Sequence, residues 1–452
     1  MQQNLENELI QSQLQAVNDA LETGIFARVR LLLQQLSAND IADLLESSPP
    51  KSRALLWRLV DENDKGEILE DLSDDIRNQF ASEMEPEQLA NALSGLDTDD
   101  LADILGDMPD KLSDKVLHSM NAQDQQRVRT ALAYPEDSAG GLMNTDTVTV
   151  RPDVTVDVVL RYLRVRGELP ENTDILYVVD RKDSFKGIIS LQNLVISHSE
   201  LSIHSVMSSD FHSISVEKSD ADVAKIFERY DLLSAPVTDA EGKLLGRITI
   251  DDVVDVIIED AEHSLMNMGR LSEDEDAFAP IIVSARRRAL WLGVNLITAV
   301  VAASVSSYFE AILEQLATVA ILMTIVPSMG GIAGTQTLTL MVRALALGQV
   351  GDSNSRWLLY KELVVGIING LVWALVIATV VGFWKEDLKL GIIIAAAMAV
   401  NMTVAGLAGV GIPLMLKKMD IDPALAGGVI LTTITDVVGL VAFLGLATLI
   451  LV

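Results

Sequence analysis

The 452-residue sequence predicts a multidomain membrane protein. It reads as an all-α superhelical domain, a duplicated α/β region, an acidic connecting helix and an α-helical membrane domain of five transmembrane helices. Three observations predict this. The formal net charge of -30 falls almost wholly before about Ala285, whereas the chain from Arg286 onward consists of apolar blocks with charges confined to short gaps. Two internal echoes spaced by about 60 residues lie in the acidic part. The last apolar block, Ala424 to Val452, holds one carboxylate, Asp436, and no lysine, arginine or histidine.

Residues 1–135 form the expected acidic helical domain. Leucines and alanines recur there at helical spacing, broken by Asp, Ser and Pro at helix starts. Asn39-Asp40-Ile41-Ala42-Asp43-Leu44-Leu45 returns as Asp99-Asp100-Leu101-Ala102-Asp103-Ile104-Leu105, which suggests duplicated helix pairs stacked in a small superhelix. The opening MQQNLENELIQSQLQ lacks the basic and apolar stretches of a signal peptide, so insertion is expected to use the downstream helices.

After Tyr134-Pro135-Glu136-Asp137-Ser138-Ala139-Gly140-Gly141 the pattern changes to short β-rich runs alternating with helices. Leu176-Tyr177-Val178-Val179-Asp180 with Gly187-Ile188-Ile189-Ser190 is echoed by Ala235-Pro236-Val237-Thr238-Asp239 with Gly246-Arg247-Ile248-Thr249. Together with Met143 and Met207 near the two starts, these runs resemble a tandem pair of CBS modules, 136–200 and 201–252. CBS pairs commonly bind adenosine nucleotides, so the resemblance implies ATP as a ligand at Tyr177, Thr249 and Asp251. The first copy has Ser190-Leu191-Gln192-Asn193 where the second has that Asp, which favours regulation by something else.

Residues 253–285 read as a connecting helix and linker. The helical pattern from Asp251 to Met268 sets Asp252, Asp255, Glu259, Asp260 and Glu262 beside Val254, Ile257, Ile258, Leu265 and Met266. The following run Glu273-Asp274-Glu275-Asp276 reads as a solvated linker.

Residues 286–452 carry five apolar segments, about 290–308, 317–342, 363–384, 390–416 and 424–451, each long enough to cross ~30 Å of hydrocarbon. Arg286-Arg287-Arg288, Arg343, Arg356, Lys361, Lys417 and Lys418 fall on one side. The amino-terminal domains are therefore expected in the cytoplasm and the carboxyl terminus outside, in the cytoplasmic (inner) membrane. Pro327 to Gln336 is expected to interrupt the second helix, and Asn401 with Gly406, Gly409, Gly411 and Pro413 to loosen the fourth. For Gly406 and Gly409 close helix packing explains the residue type equally well.

An aspartate at a helix centre costs about 2.5–3.5 kcal/mol on insertion scales, so Asp436 needs a water-filled path or an ion. Thr432, Thr433 and Thr435 set hydroxyls within one turn of it, although membrane threonines often bond back to their own helix. A single acid makes a thin ion site. A homodimer with its two-fold axis along a pore would pair two Asp436 side chains into a site of charge about -2 for one divalent cation.

These residues together resemble the MgtE family of magnesium channels and transporters over essentially the whole chain. The signature comprises Phe309-Glu310, Pro327, Gly330-Gly331, Gly334-Thr335-Gln336, Arg343-Ala344-Leu345-Ala346, Lys361-Glu362, Asn401, Pro413, Asp422-Pro423-Ala424 and Thr432-Thr433 with Asp436. The resemblance implies a homodimer whose fifth membrane helices present Asp436 to hydrated Mg²⁺, with cytoplasmic domains that sense Mg²⁺. Two departures stand out: Ile332 replaces an Asn common after the paired glycines, and Ala426-Gly427-Gly428 replaces a Ser-bearing turn.

Mg²⁺ prefers oxygen ligands, sheds water slowly and is usually held by one or two carboxylates. Asp436 suits it, with carbonyls near Ala424, Gly427 and Gly428, the Thr432 and Thr433 hydroxyls, and Asn401 in the same path. The acidic part then has a use. Asp97, Asp99, Asp100 and Asp103 from the helical domain and Asp251, Asp252, Asp255, Glu259 and Asp260 from the second module and connecting helix would repel until divalent ions bridged them, closing the pore.

The acidic surface argues against nucleic acid as a partner. With no cysteine, and no histidine after Arg286, soft-metal sites are unavailable in the membrane part. No phosphate loop or nucleophile motif points to an enzyme. Two alternatives stay open beside a Mg²⁺ channel: an ion-coupled carrier or exporter of Mg²⁺, Co²⁺ or Mn²⁺, against which no inverted repeat or second membrane acid is evident, and a nucleotide-regulated transporter.

Overall fold

The acidic amino-terminal part is a stack of short helices in the computed structural model, which describes residues 15–451 except 18, 22, 171, 270, 272–275, 352 and 420. These helices are α1 (Phe26–Leu33), α2 (Ala38–Glu46), α3 (Pro50–Trp57), α4 (Lys65–Glu70), α5 (Asp74–Glu83), α6 (Pro86–Ala92), α7 (Thr98–Gly106), α8 (Asp110–Ser119) and α9 (Ala122–Ala131). Helices this short are marginal alone in water, so one shared core from Val17 to Val128 must hold them. Within it Trp57 stacks on Phe80 at 4.5 Å.

The sequence echo is a structural repeat. The α2 helix begins at a capping box in which Ser37 and Asp40 satisfy each other's backbone N–H, and it buries Ile41, Ala42, Leu44 and Leu45. Its echo α7 follows Asp97 and buries Leu101, Ala102, Ile104 and Leu105, the same four places. The next helices, α3 and α8, start after Pro49 and Pro109.

Two three-stranded sheets follow. In the first, β1 (Thr149–Val150) pairs in parallel with β2 (Ile175–Val179), which pairs antiparallel with β3 (Phe185–Ser190). Helix α10 (Val156–Arg166) joins β1 to β2, and α11 (Leu191–Ile196) and α12 (Ile203–Val206) come after β3. The second sheet repeats the pattern with β4 (Ile214–Ser215), β5 (Ser234–Thr238) and β6 (Leu244–Thr249), with α13 (Asp220–Tyr230) between β4 and β5. Both copies bulge at the same place, Val178/Val179 and Val237/Thr238.

The two modules exchange their leading segments. Asn144 bridges to Arg247 of β6, and Ala139 and Met143 join the core of the second sheet. Conversely Ser208 bridges to Ile188 of β3, and Ile203 sits in the core of the first sheet. Glycine is needed at both crossings. A Cβ on Gly246 would lie 2.7 Å from the Asn144 carbonyl oxygen, and one on Gly187 would lie 2.5 Å from that of Ser208.

Helix α14 (Ile250–Gly269) leaves β6 without a break. Of the acidic run after it, residues 273–275 lie outside the described residues. Asp276 departs from the solvated linker expected there: its carboxylate meets the buried Arg53 guanidinium at 2.8 Å. Arg53 also donates from Nε to the Leu45 carbonyl and from an Nη to that of Glu46, so it closes the end of α2 and needs the counter-charge.

The membrane part comprises α15 (Ile281–Tyr308), α16 (Glu310–Gln315), α17 (Ala317–Leu322), α18 (Ile325–Ala346), α19 (Ser355–Lys385), α20 (Leu388–Lys418) and α21 (Pro423–Leu451). They give five stretches long and apolar enough to span a bilayer: 281–308, 317–346, 355–385, 388–418 and 423–451. None of the α15 side chains is buried within the chain.

The expected interruptions of these helices are corrected. The second span breaks at Met323 and Thr324, before Pro327, and runs unbroken through Gly330, Gly331 and Gly334. Proline lacks the N–H that would bond the carbonyl four residues back, at Met323, so the helix restarts with Pro327 in its first turn. The fourth span is likewise one continuous helix, with Pro413 inside it. Its glycines serve close approach: a Cβ would lie 2.8 Å from the Glu362 carbonyl oxygen at Gly406 and 2.7 Å from the Thr337 Cβ at Gly409.

The chain forms two compact units, Met1–Glu262 with Asp274–Pro280 and His263–Glu273 with Ile281–Val452. The division falls inside α14.

Candidate functional site: a lone membrane carboxylate and a crowded acidic cleft

Asp436 sits at mid-helix in α21, half-buried, and makes no hydrogen bond or ion pair among the described residues. The hydroxyls around it bond back to their own helix. Thr432 donates to the Gly428 carbonyl and Thr433 to that of Val429, each at 2.8 Å, and Thr435 donates to Leu431 and Thr432 at 3.1 Å. A hydroxyl whose proton is committed in this way offers only lone pairs, the pole that suits a cation or the protons of its water shell.

Ala424 and Gly427 are buried in the first turns of α21, with Leu338 of α18 at 3.0 Å from where a Gly427 Cβ would stand. Gly428 is half-buried. Ile332 is 55% exposed on α18.

Asn401 is wholly buried where α18, α20 and α21 meet. Its Nδ2 donates to the Val326 carbonyl at 2.8 Å, while its Oδ1 has no hydrogen-bond partner. Two glycines make its slot. A Cβ would lie 2.2 Å from Nδ2 at Gly330 and 2.8 Å at Gly439, so any larger residue at either place displaces the amide.

A second acid lies inside a spanning helix, contrary to the expectation of only one. Glu362 is 7% exposed in α19, accepts a hydrogen bond from Thr337 at 3.1 Å and pairs with Lys361 at 3.0 Å. The sequence hid it because Lys361-Glu362 reads as a charged gap, whereas α19 begins at Ser355.

In the amino-terminal part, acids from the helical repeats converge on the start of α14. Asp99 is 5% exposed, and its Oδ1 has no hydrogen-bond partner. Burial, then the nearby charges of Asp252, Asp100 and Asp97, hold its carboxyl well above the usual range. Burial with neighbouring carboxylates likewise pushes Asp103 up to about 7 and Asp100 up to about 6. Asp252 is pushed up to about 7 by burial and Asp251, against hydrogen bonds from Thr249. Glu259 rises to about 6 through burial and Asp74, and Asp255 rises through burial and Asp251.

Sequence reasoning missed several members of this cleft. Glu70 is pushed up to about 8 by burial and Asp100, and Asp107 up to about 6 by burial and Asp74. Burial and then Asp255 raise Asp71, while burial and then Asp137 raise Glu136. Arg77 works against them, 3.3 Å from Asp74 and 3.4 Å from Asp107. The charge of Asp260 acts on Asp220 of α13.

Among the described residues no three His, Asp or Glu side chains converge closely enough to hold a metal ion directly. Carboxylates near enough to raise one another's pKa, yet too far apart to share a bare ion, match a cation that keeps its water shell.

Of the residues that resemblance pointed to for ATP, Asp251 is exposed while Tyr177 and Thr249 are buried. Tyr177 is 1% exposed inside β2. Thr249 gives its N–H and hydroxyl to Asp252 at 2.8 and 2.9 Å, and Asp251 accepts from the Asn172 amide.

Comparison with known proteins agrees with this architecture. Residues 36–137 match the MgtE intracellular N domain, 139–198 and 203–259 match the CBS domain, and 323–446 match MgtE, a divalent cation transporter family. The magnesium transporter MgtE of Enterococcus faecalis is 32% identical over 327 residues, 72% of each chain. Its counterpart from Bacillus subtilis is 28% identical over 95% of each chain. That from Thermus thermophilus is 28% identical over 96% of this chain and 98% of its own. A solved cytosolic domain of the Mg²⁺ channel MgtE in complex with ATP is 29% identical. It covers 54% of this chain and 99% of its own, with a TM-score of 0.50.

Proposed function

This chain belongs to the MgtE family of magnesium transporters and is a multi-pass membrane protein, and we propose that it is a homodimeric Mg²⁺-selective channel closed by cytoplasmic Mg²⁺. It takes up Mg²⁺ across the cytoplasmic membrane, with the amino-terminal domains in the cytoplasm and the carboxyl terminus outside. The basic residues Arg286, Arg287, Arg288, Arg343, Arg356, Lys361, Lys417 and Lys418 at one set of helix ends support that orientation.

The observation that carries the reading is the contrast between the two acid sites. Asp436 has no neutralising partner among the described residues. Helix α15 buries none of its side chains within the chain, although Ala302 and Val305 pack partly against the membrane core, which leaves it faces for lipid or a second copy. Paired across a two-fold axis, two Asp436 carboxylates accept hydrogen bonds from the water shell of Mg²⁺, and the Thr432 and Thr433 oxygens extend that acceptor surface. Ion and protein stay separated by water, so binding is weak enough to release the ion.

At the cytoplasmic end the cleft of Asp97, Asp99, Asp100, Asp103, Asp251, Asp252, Asp255 and Glu259, joined by Glu70, Asp71, Asp107 and Glu136, repels itself when empty of cations. Hydrated Mg²⁺ neutralises it and favours the compact, closed arrangement. The weakest multi-carboxylate sites bind at roughly 10⁻⁴–10⁻³ M, a range suited to feedback from an abundant cytosolic ion.

A second reading, an ion-coupled carrier, gains one specific observation in Glu362, a buried acid inside α19. Its pairing with Lys361 and Thr337 favours a structural role instead. Modulation by ATP at the CBS pair is part of this reading, supported by the ATP complex of a cytosolic MgtE domain 29% identical to this chain. Uptake into proteoliposomes driven by a Mg²⁺ gradient alone tests the channel: uptake is expected without a proton or sodium gradient, and strict dependence on either gradient overturns it.

A further inference from the structure

The last two turns of α14 meet the start of α21 through three polar side chains that neither acid site uses. Asn267 is 5% exposed, and its Nδ2 donates to Asp422 Oδ2 at 2.7 Å. One turn earlier, His263 Nε2 lies 2.9 Å from that amide nitrogen and 3.4 Å from the same carboxylate oxygen. The other oxygen, Oδ1, accepts the Ala424 N–H at 2.8 Å. One carboxylate therefore caps the helix that carries Asp436 and is gripped by the connecting helix.

We propose that Asn267 is a positioning residue for gating, a metal-free clamp whose hydrogen bond to Asp422 holds the first turn of α21 against the end of α14 in the closed state. The inference rests on the reading of the protein as a channel closed by cytoplasmic Mg²⁺.

The chemistry at the two ends of α14 differs. Its first turns carry Asp251, Asp252, Asp255 and Glu259, which face other acids and need a cation to approach them. At Asn267 a neutral donor meets an anion, so the contact is favourable as it stands, and bonds to charged groups are roughly twice as strong as neutral ones. Asp422 leads through Pro423 straight into α21, and 14 residues at ~1.5 Å each set Asp436 about 21 Å along the same rigid helix. A shift of the first turn is therefore transmitted along the helix to the ion site.

The test uses the full-length protein in bilayers, with Mg²⁺ current read as cytoplasmic Mg²⁺ is raised. Asn267→Ala is expected to raise the half-inhibiting Mg²⁺ concentration about tenfold, the size of one hydrogen bond to a charged group, with current at low cytoplasmic Mg²⁺ unchanged. Asn267→Asp sets like charges face to face and is expected to raise it further. The exchange Asn267→Asp with Asp422→Asn restores one amide–carboxylate pair with the roles reversed, since Asn also caps a helix, and is expected to return the value to within about twofold of wild type. Inhibition of Asn267→Ala at the wild-type concentration, or failure of the exchange to rescue, overturns the clamp and leaves Mg²⁺ gating standing. A wild type that cytoplasmic Mg²⁺ does not inhibit overturns the gating reading and the clamp together.

Discussion

The membrane part isolates one carboxylate, and the amino-terminal part crowds many. Asp436 has apolar neighbours and threonines already bonded to their own helix, so its charge stays available to a passing cation. Asp99, Asp100, Asp103, Asp252 and Glu70 have each other, and mutual repulsion with burial holds protons on them that solitary acids would release. The same side chain thus serves two purposes according to its company. On the proposed reading, a lone acid attracts a cation without trapping it, whereas a crowd of acids changes shape when a cation arrives.

Removing the lone acid has the largest expected effect. Asp436→Ala should lower Mg²⁺ flux by at least about 100-fold while making insertion easier by about 2.5–3.5 kcal/mol, because the costly charge is gone. Flux assays on protein quantified in the membrane check both halves, and a well-inserted mutant with normal flux would break the comparison. Next come the glycines around Asn401. Gly330→Ala or Gly439→Ala should destabilise the membrane part by about 1–3 kcal/mol, read as a lower melting temperature in detergent, and Asn401→Ala in the same chain should recover part of the loss.

The crowd responds more gently to single changes. Asp99→Asn removes a carboxyl that must take up a proton to be buried, so without divalent ions the protein should become more stable by about 1–2 kcal/mol, and Mg²⁺ should protect it less from proteolysis. A mutant with unchanged Mg²⁺ protection would count against Asp99 as part of the sensor. The smallest effect is that of pH. These folded-state pKa values lie above the ordinary carboxylate values of 3.8 and 4.5, so the stability they contribute is fully present below those values. It is lost as pH rises through about 6 to about 8. Thermal melts in divalent-free buffer should show this decline, and saturating Mg²⁺ should flatten it. An equal slope with and without Mg²⁺ would show that protons and Mg²⁺ do not share these groups.

Features set by composition and local periodicity were readable in the sequence. The acidic and apolar halves, the repeat from Asn39 to Asp99, the echoed strands of the α/β pair and the five spans all rest on patterns within about 60 residues. Features made by long-range packing were not. Glu70, Asp71 and Glu136 enter the cleft only because helices distant in sequence set Glu70 beside Asp100, Asp71 beside Asp255 and Glu136 beside Asp74. Arg53 and Asp276 stand 223 residues apart, and Asn267 and Asp422 stand 155 apart. The sequence showed the glycines of the second span as breaks because it could not show Asn401 and Leu431 pressing against Gly330 and Gly334.

The most direct test of the central claim is single-channel Mg²⁺ current from the wild type and Asp436→Ala, recorded while cytoplasmic Mg²⁺ is varied. Wild-type current should fall as cytoplasmic Mg²⁺ rises, and the mutant should carry none at any concentration. Persistent current in the mutant, or wild-type current indifferent to cytoplasmic Mg²⁺, would contradict the division of labour between the lone carboxylate and the crowd.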